Sequence, residues 1–226
     1  MKQRTLFLNA YADFFEKYDI QLTVHQLLQL RCFVDELSQW NRAINLTGLR
    51  SQDEIITHLV LDSLICGTVL PRSGNLVDVG SGAGFPAIPI KIYSPQLKVA
   101  LIEPKRKKAN FLRHATRLLH LSSVVVYRET FQAHITKNKA NYDIVTTRGL
   151  LEPKRALLML SPLLKHKGMI ALFLGEGAYT SLCILEGIAI DAGLKLHQLL
   201  TYTLPGLKAK RCICTFEKCK MQDTTS

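Results

Sequence analysis

Residues 76–86 read Leu-Val-Asp-Val-Gly-Ser-Gly-Ala-Gly-Phe-Pro, and few folds can use such a run. Apolar residues interrupted by one acid lead into glycines at 80, 82 and 84, and a helix-compatible stretch, 87–93, follows. That order predicts a buried strand, a tight turn and a helix start. A turn of this kind lets a ligand approach bare backbone beside a helix N-terminus. A turn with no ligand is the plainer alternative, but three glycines in five positions exceed what a simple turn needs.

The rest of the chain continues this rhythm. Strands are predicted at 76–79, 97–102, 123–127, 142–146, 169–174, 194–203 and 210–216. Helices at 87–93, 104–119, 131–136, 154–165 and 178–192 lie between them, with Pro104 and Pro153 suited to helix starts. Repeated strand–helix units imply a mostly parallel α/β sheet covered on both faces. Only Leu204-Pro205-Gly206 and a few more residues separate the last two strands, so these form an antiparallel hairpin.

Ahead of the first strand, roughly seventy residues are helical. A first helix spans 2–18, with Leu6, Phe7, Ala10, Tyr11 and Phe14 on one side. Capping-box patterns, Thr23-x-x-Gln26 and Ser51-x-x-Glu54, open two more. Leu27, Leu30, Val34, Leu37 and Ile44 form an amphipathic stripe, with Trp40 beside it as a core anchor. The expected division is a helical extension over 1–72, an α/β domain over 73–218 and a polar tail over 219–226.

With 47% hydrophobic and 21% charged residues, the 226-residue chain has ample material for a core. No apolar run reaches the roughly 18 residues of a membrane span, and no charged-then-apolar leader opens the chain. A soluble, cytoplasmic protein with no membrane partner is expected. The six cysteines include no Cys-x-x-Cys pair and the seven histidines are scattered. Buried free thiols are therefore favoured over a metal site or a disulfide framework. Lysine plus arginine exceed aspartate plus glutamate by 29 to 18, and the resulting charge of +11 favours a polyanionic partner.

Two cofactors compete for the glycine turn. A nicotinamide dinucleotide site wants G-x-G-x-x-G or A, the last small residue permitting close helix–strand contact, and here that position is Phe85. The G-x-G-x-G spacing after Asp78 resembles instead motif I of the Rossmann-like S-adenosylmethionine-dependent methyltransferases. The resemblance implies that class's α/β fold: a seven-stranded, mostly parallel sheet with an antiparallel terminal hairpin, here with a helical N-terminal extension. It also implies S-adenosyl-L-methionine as cofactor, set among Asp78, Gly80, Gly82 and Gly84. Backbone N–H groups near a helix start suit the methionine carboxylate. Glu103, ending the second strand, is placed to accept from both ribose hydroxyls, although a glutamate there would serve NAD as well.

Further blocks narrow the resemblance. Asn45-Leu46-Thr47, Asp62-Ser63-Leu64, the run at 77–86, Lys105-Arg106-Lys107-Lys108 with Phe111-Leu112, Arg128, Thr147-Arg148 and the strand at Arg211 resemble the RsmG (GidB) family. Members are bacterial 16S ribosomal RNA guanine-N7 methyltransferases, and the likeness extends over about 27–218. It implies cofactor contacts at Gly80 and Phe85, at Glu129 and Thr130 after the third strand, where one residue would bracket the adenine, and at Arg148. It implies 16S rRNA or the 30S ribosomal subunit as partner, and a monomer is expected. Gly149 stands where the family more often has alanine, and Ala87 where glycine is frequent. His58 is assigned no role.

Guanine N7 carries a lone pair and no proton, so its attack on a sulfonium methyl requires no general base. Proximity, alignment and exclusion of water can carry the reaction. No catalytic acid or base is therefore assigned. Thr146-Thr147-Arg148-Gly149 ends the fourth strand in place of the Asn/Asp-Pro-Pro-aromatic of amine methyltransferases. No cysteine stands at the end of strand four or five for pyrimidine-C5 chemistry. Arg148 has two readings, a group between cofactor and guanine or a structural ion pair. Candidate phosphate contacts are the 105–108 run with Arg113 and Arg117, then Lys154 and Arg155, and Lys208, Lys210, Arg211, Lys218 and Lys220 around the hairpin. A methyltransferase for a small molecule or protein, and a non-catalytic ribosome-binding module retaining the fold, stand as alternatives.

Overall fold

The computed structural model describes residues 2–175 and 178–219, with side chains over 10–175 and 182–219. The side chains of Leu6 and Phe7, and the tail from Lys220 onward, lie outside the described residues. Helix α1 (Lys2–Lys17) leads to Thr23, which fixes the start of α2 (Val24–Ile44). Thr23 Oγ1 accepts from Gln26 N–H at 3.2 Å, and Gln26 Oε1 accepts from Thr23 N–H at 2.8 Å. Gln26 Nε2 also donates to Ile92 O at 2.7 Å, so the same cap ties α2 to the α/β part of the chain. Leu27, Leu30, Phe33, Val34 and Leu37 are buried along α2, while Ile44 is only half-buried. Trp40 packs 5.6 Å from the Phe111 ring and donates its indole N–H to Glu36 Oε1 at 2.8 Å.

Ser51 and Glu54 repeat the reciprocal cap at α3 (Gln52–Ile55). The chain then widens into a π-helical stretch, Ile56–Leu61, before α4 (Asp62–Thr68). Spacing alone predicted an uninterrupted α-helix here. In the wide turn Asp62 N–H donates to Leu59 O. The His58 carbonyl accepts instead from Arg148 Nη2 at 2.7 Å, a partner 90 residues away. Inserted π turns of this kind recur at functional sites.

The alternating part runs β1 (Ser73–Val79), α5 (Ala87–Tyr93), β2 (Gln96–Ile102), α6 (Arg106–Leu118), β3 (Val124–Tyr127), α7 (Phe131–Lys137) and β4 (Tyr142–Thr147). It continues with α8 (Pro153–Leu160), β5 (Leu164–Leu174), α9 (Ala178–Asp191), β6 (Leu194–Thr203) and β7 (Lys210–Lys218). The strands form one sheet in the order β3-β2-β1-β4-β5-β7-β6. β7 is antiparallel to both of its neighbours, and the β1–β5 pairs are parallel. The expected α/β layout with its closing hairpin is present.

Three expectations need correction. The helix expected over 154–165 ends at Leu160, because Pro162 has no N–H to extend it. One 3₁₀ turn, Ser161–Leu163, then delivers the chain into β5 at Leu164 rather than at 169. Helix α6 begins after Lys105 and not at Pro104, because Lys105 is still extended (φ −75°, ψ 116°), while its N–H donates to Glu103 Oε1 at 2.8 Å. Cys66, Cys212 and Cys214 are buried thiols, Cys32 and Cys219 only half-buried, and Cys183 is exposed. Cys183 lies two positions before the buried Leu185 on α9, which places it on the opposite, outward face.

Alternate β1 side chains feed two cores. Leu76 packs with Leu30, Phe33, Leu64, Ile88 and Phe111, so the N-terminal helices share this core with α5 and α6. Val77 and Val79 pack with Ala156, Leu157, Leu160 and Leu185 of α8 and α9. Both sheet faces are covered, which is why β1 reads as a nearly continuous apolar run. Phe33 is fully buried, with its ring 5.2 Å from Phe85 and 6.3 Å from Phe111. Phe33→Ala is expected to cost about 3–5 kcal/mol of unfolding free energy in urea titration; a loss within 1 kcal/mol, on the order of a surface change, would show that this aromatic junction is not a structural anchor.

Candidate cofactor cleft and active site

The chain crosses from β1 to β2 and β3 on one side, then returns to β4 on the other. Crevices at such a switch point, outside the carboxyl ends of the strands, are where α/β sheets bind ligands. Val79 is in register with Thr147, so Gly80 and Arg148 leave the sheet at the same level.

At this level Gly80 N–H and Ser81 N–H both donate to Ile102 O at 3.0 Å. Gly80 has φ +76°, and a Cβ there would lie 2.7 Å from Leu150 Cδ2. Only glycine lets the segment after β4 lie against the turn. At Gly84, φ is +93° and a Cβ would meet Ile88 Cδ1 at 2.5 Å, so the turn can close onto α5 only without a side chain. Gly82 N–H donates to Glu103 Oε2 at 3.0 Å. Glu103 is almost wholly buried, and each carboxylate oxygen keeps a further lone-pair site beyond its one backbone donor. Two hydroxyl donors could still be accepted.

Gly80, Gly82, Phe85, Glu103 and Arg148 line one cleft of about 390 Å³, joined by Leu46, Thr47, Lys105 and Lys108. That volume lies within the usual range of small-molecule sites, roughly 300–1,000 Å³. Phe85, where a dinucleotide site wants a small residue, forms part of the wall and packs on Phe33. Asp78 and Gly84 are not on the wall but support it from beneath. Asp78 is wholly buried, and its Oδ1 accepts from Thr146 Oγ1 at 2.7 Å while Oδ2 has no partner. Burial pushes its carboxyl up to about 7; hydrogen bonds from Thr146 and Ser81 oppose that rise, and the charge of Glu103 adds to it.

Glu129 and Thr130 are not brought to the cleft wall. Glu129 pairs with His134 Nδ1 at 2.7 Å and Lys137 Nζ at 3.3 Å, and the His134 bond holds its carboxyl below the ordinary value. Thr130 Oγ1 caps α7 by accepting from Ala133 N–H at 3.3 Å.

Arg148 lines the cleft and is also held in an ion pair. Its Nη2 lies 2.9 Å from Asp62 Oδ2 and donates to His58 O, while Nη1 is buried and has no partner. The Asp62 Oδ2 contact is a close ion pair without hydrogen-bond alignment, and Oδ2 has no hydrogen-bond partner. Asp62, fully buried, also accepts at Oδ1 from Tyr202 Oη and from Arg211 Nη1, the latter at 3.2 Å. Burial, and then the Asp62 charge, push the Tyr202 phenol up, which keeps it a donor. Sequence reasoning gave Asp62 no role, although its Asp-Ser-Leu block was visible. It also counted Arg211 and Lys218 as phosphate contacts. Arg211 is committed to Asp62, and Lys218 Nζ donates to Ala192 O at 2.8 Å at the end of α9.

The sheet with its antiparallel last strand, the glycine turn after β1 and the acid after β2 define a Rossmann-like S-adenosylmethionine-dependent methyltransferase. Similar solved structures include M. jannaschii TYW2 in complex with AdoMet, with a TM-score of 0.57 at 21% identity over 70% of this chain and 74% of that one. Another is Burkholderia thailandensis 1,6-didemethyltoxoflavin-N1-methyltransferase with bound S-adenosylhomocysteine, with a TM-score of 0.56 at 13% identity over 85% and 88%. A family model, GidB, rRNA small subunit methyltransferase G, matches residues 26–190. Curated relatives named ribosomal RNA small subunit methyltransferase G include that of Geotalea uraniireducens, 32% identical over 88% of this chain and 91% of its own. That of Geobacter sp. is 34% identical over 83% and 86%. The chain belongs to this GidB methyltransferase family.

The orphaned Arg148 Nη1 and the spare acceptor capacity of Glu103, both on the cleft wall, fit a cofactor that brings an anionic group and two hydroxyls. The raised Asp78 value also has a signed consequence. Its folded value of about 7 exceeds the ordinary 3.8, so the folded state binds this proton more tightly. The stabilisation is full below about pH 4 and is lost as pH rises through about 7. Asp78→Asn keeps an acceptor for Thr146 and cannot ionise. Wild-type stability minus that of the variant, from denaturant titrations across this window, is expected to decline and then level. A difference independent of pH would contradict a buried, proton-binding Asp78.

Proposed function

We propose that the chain transfers the methyl group of S-adenosylmethionine to N7 of a guanine in 16S ribosomal RNA, free or within the 30S subunit, acting as a monomer in the cytoplasm. One observation carries the choice of acceptor. Among the described residues of the cleft wall Glu103 is the sole carboxylate, both of its oxygens accept backbone N–H groups, and no histidine or cysteine is present. A wall without a free base suits a nucleophile that has no proton to lose. Family membership and the cations Lys105, Lys108 and Arg148 on the same wall support an RNA substrate. No helix among the described residues is long and apolar enough to cross a membrane.

S-adenosylmethionine, when bound, supplies an electrophilic methyl on a sulfonium. Glu103 would accept the ribose hydroxyls, and the bare backbone at Gly80 and Gly82 would admit the amino-acid end. The unpartnered Nη1 of Arg148 offers a donor to that end's carboxylate or to guanine O6. A guanidinium keeps its protons at any working pH, so it orients the acceptor without competing for the N7 lone pair. Phe85 and Leu46 close apolar surface over the site, which excludes water. Since the side chains of Glu129 and Thr130 are engaged within α7, their part at the adenine would be played by backbone at the end of β3. Asp78 and Gly84 would support the turn. In the proposed division, the extension over 1–72 braces this turn through Phe33, the domain over 73–218 carries the site, and 219–226 is the tail.

Methyl transfer from labelled cofactor to 16S RNA and to 30S subunits, followed by nuclease digestion and mass spectrometry, tests the proposal. A single N7-methylguanosine is expected. Another methylated nucleoside would overturn the acceptor while leaving the cofactor, and no incorporation into either RNA would remove the substrate class.

A further inference from the structure

The loop that ends α2 has bonding of its own. Asn45 adopts a left-handed conformation and donates its N–H to Asn41 O at 3.3 Å. Asn41 then spans the loop, donating from Nδ2 to Leu49 O at 3.0 Å and accepting at Oδ1 from Thr47 N–H at 2.8 Å. Thr47 Oγ1 in turn accepts from Leu49 N–H at 3.3 Å. These bonds make 45–49 a fixed partition rather than a slack connection. Leu46 and Thr47 face the cofactor cleft on one side. On the other lies a second hollow of about 610 Å³, bounded by Asn41, Arg42, Thr47, Gly48, Arg50 and Lys107. Thr47 belongs to both walls.

Charge in this hollow has one sign. Its lining includes Arg42, Arg50 and Lys107 and no carboxylate. All three are exposed, and none of their side chains has an ion pair or hydrogen bond among the described residues. Some exposed cations elsewhere are paired, as Arg31 is with Asp35, Lys165 with Asp143 and Lys195 with Glu217. Lys107 stands in the first turn of α6, beside Arg106 and Lys108, with no acid in that turn to offset them. Clustered positive charge at the positive end of a helix is unfavourable unless an anion relieves it. Arg42 and Arg50 also line an adjoining hollow, together with Ser38, Asn41, Gln52 and Ile55. One small anion would need a single pocket. Successive cation-lined hollows that share residues and lead away from the methyl-donor cleft match the regular phosphates of a polynucleotide.

We propose that the 45–49 partition divides the RNA substrate. The target guanine enters the cleft past Leu46 and Thr47, while phosphates of the adjoining nucleotides lie on Arg42, Arg50 and Lys107. This deepens the RNA methyltransferase reading and rests on it. These contacts carry affinity and register, not base identity.

The test compares full-length wild type with the triple variant Arg42→Gln, Arg50→Gln, Lys107→Gln. A control, Lys98→Gln, Lys139→Gln, Lys167→Gln, removes equal charge from exposed positions elsewhere on the chain. Cofactor affinity by calorimetry is expected to match wild type in both variants, which also reports that the fold is intact. In the hollow variant, KM for 30S subunits or 16S RNA should rise about tenfold or more with kcat little changed. The slope of log K against log salt should flatten by about 0.7 per lost phosphate contact, while the control stays near wild type. Equal weakening by the two variants, or wild-type KM and slope in the hollow variant, overturns the proposal. Sub-millimolar pyrophosphate binding abolished by the hollow variant with RNA affinity intact would assign the hollow to a free phosphate and likewise overturn it. Failure of wild type to methylate RNA would instead sink the parent reading.

Discussion

Asp62 is a carboxylate with no exposure to water, and it is tolerable there because Arg148, Arg211 and Tyr202 converge on it. Removing one partner of a buried ion pair typically costs about 3–5 kcal/mol, since the other charge is left without compensation. Asp62 itself lies on α4, and its partners come from the end of β4 and from the closing hairpin. One carboxylate thus couples the helical extension, the switch point of the sheet and the antiparallel strands. It also fixes Arg148 before any ligand arrives. In the proposed role, a guanidinium already held at Asp62 and His58 O would lose little freedom when its unpartnered Nη1 meets a ligand.

The glycine turn depends on a second buried acid in a different way. Glu103 joins the turn after β1 to the turn after β2 through Gly82 N–H and Lys105 N–H, so the two loops that would enclose a nucleoside move as one. Phe85 then sets the turn's outer limit. A small residue there would allow close helix–strand contact for a dinucleotide; the aromatic ring instead reaches Phe33 and brings the N-terminal helices against the site. The N-terminal helices are therefore part of the cleft's construction, and Leu46 and Thr47, just after α2, form part of the wall.

Local chemistry made much of this legible. The strand–turn–helix at 76–93, the two capping boxes and the short link before β7 follow from turn residues and periodicity within a few positions, and the structure has them all. Features that depend on distant partners were not legible. The π-helical stretch has its His58 carbonyl taken by Arg148, and nothing near Ile56–Leu61 in the chain announces that. Arg211 looked like a surface cation because the acid it serves is 149 residues away. The side chains of Glu129 and Thr130, just after β3, are engaged locally, Glu129 by His134 and Thr130 by the Ala133 N–H. Pro162 was a local signal and was under-read: it ends α8 early and lengthens β5.

The central claim is that the crevice between the ends of β1, β2 and β4 holds the methyl donor against a pre-positioned Arg148. A crystal structure with S-adenosylhomocysteine measures this most directly. The expected density places both ribose hydroxyls on Glu103, the amino-acid end along Gly80 and Gly82, and the sulfur facing an opening bordered by Arg148, with the Asp62 ion pair unchanged. Density for the nucleoside away from Glu103, or an Arg148 that must leave Asp62 to admit the ligand, would contradict it.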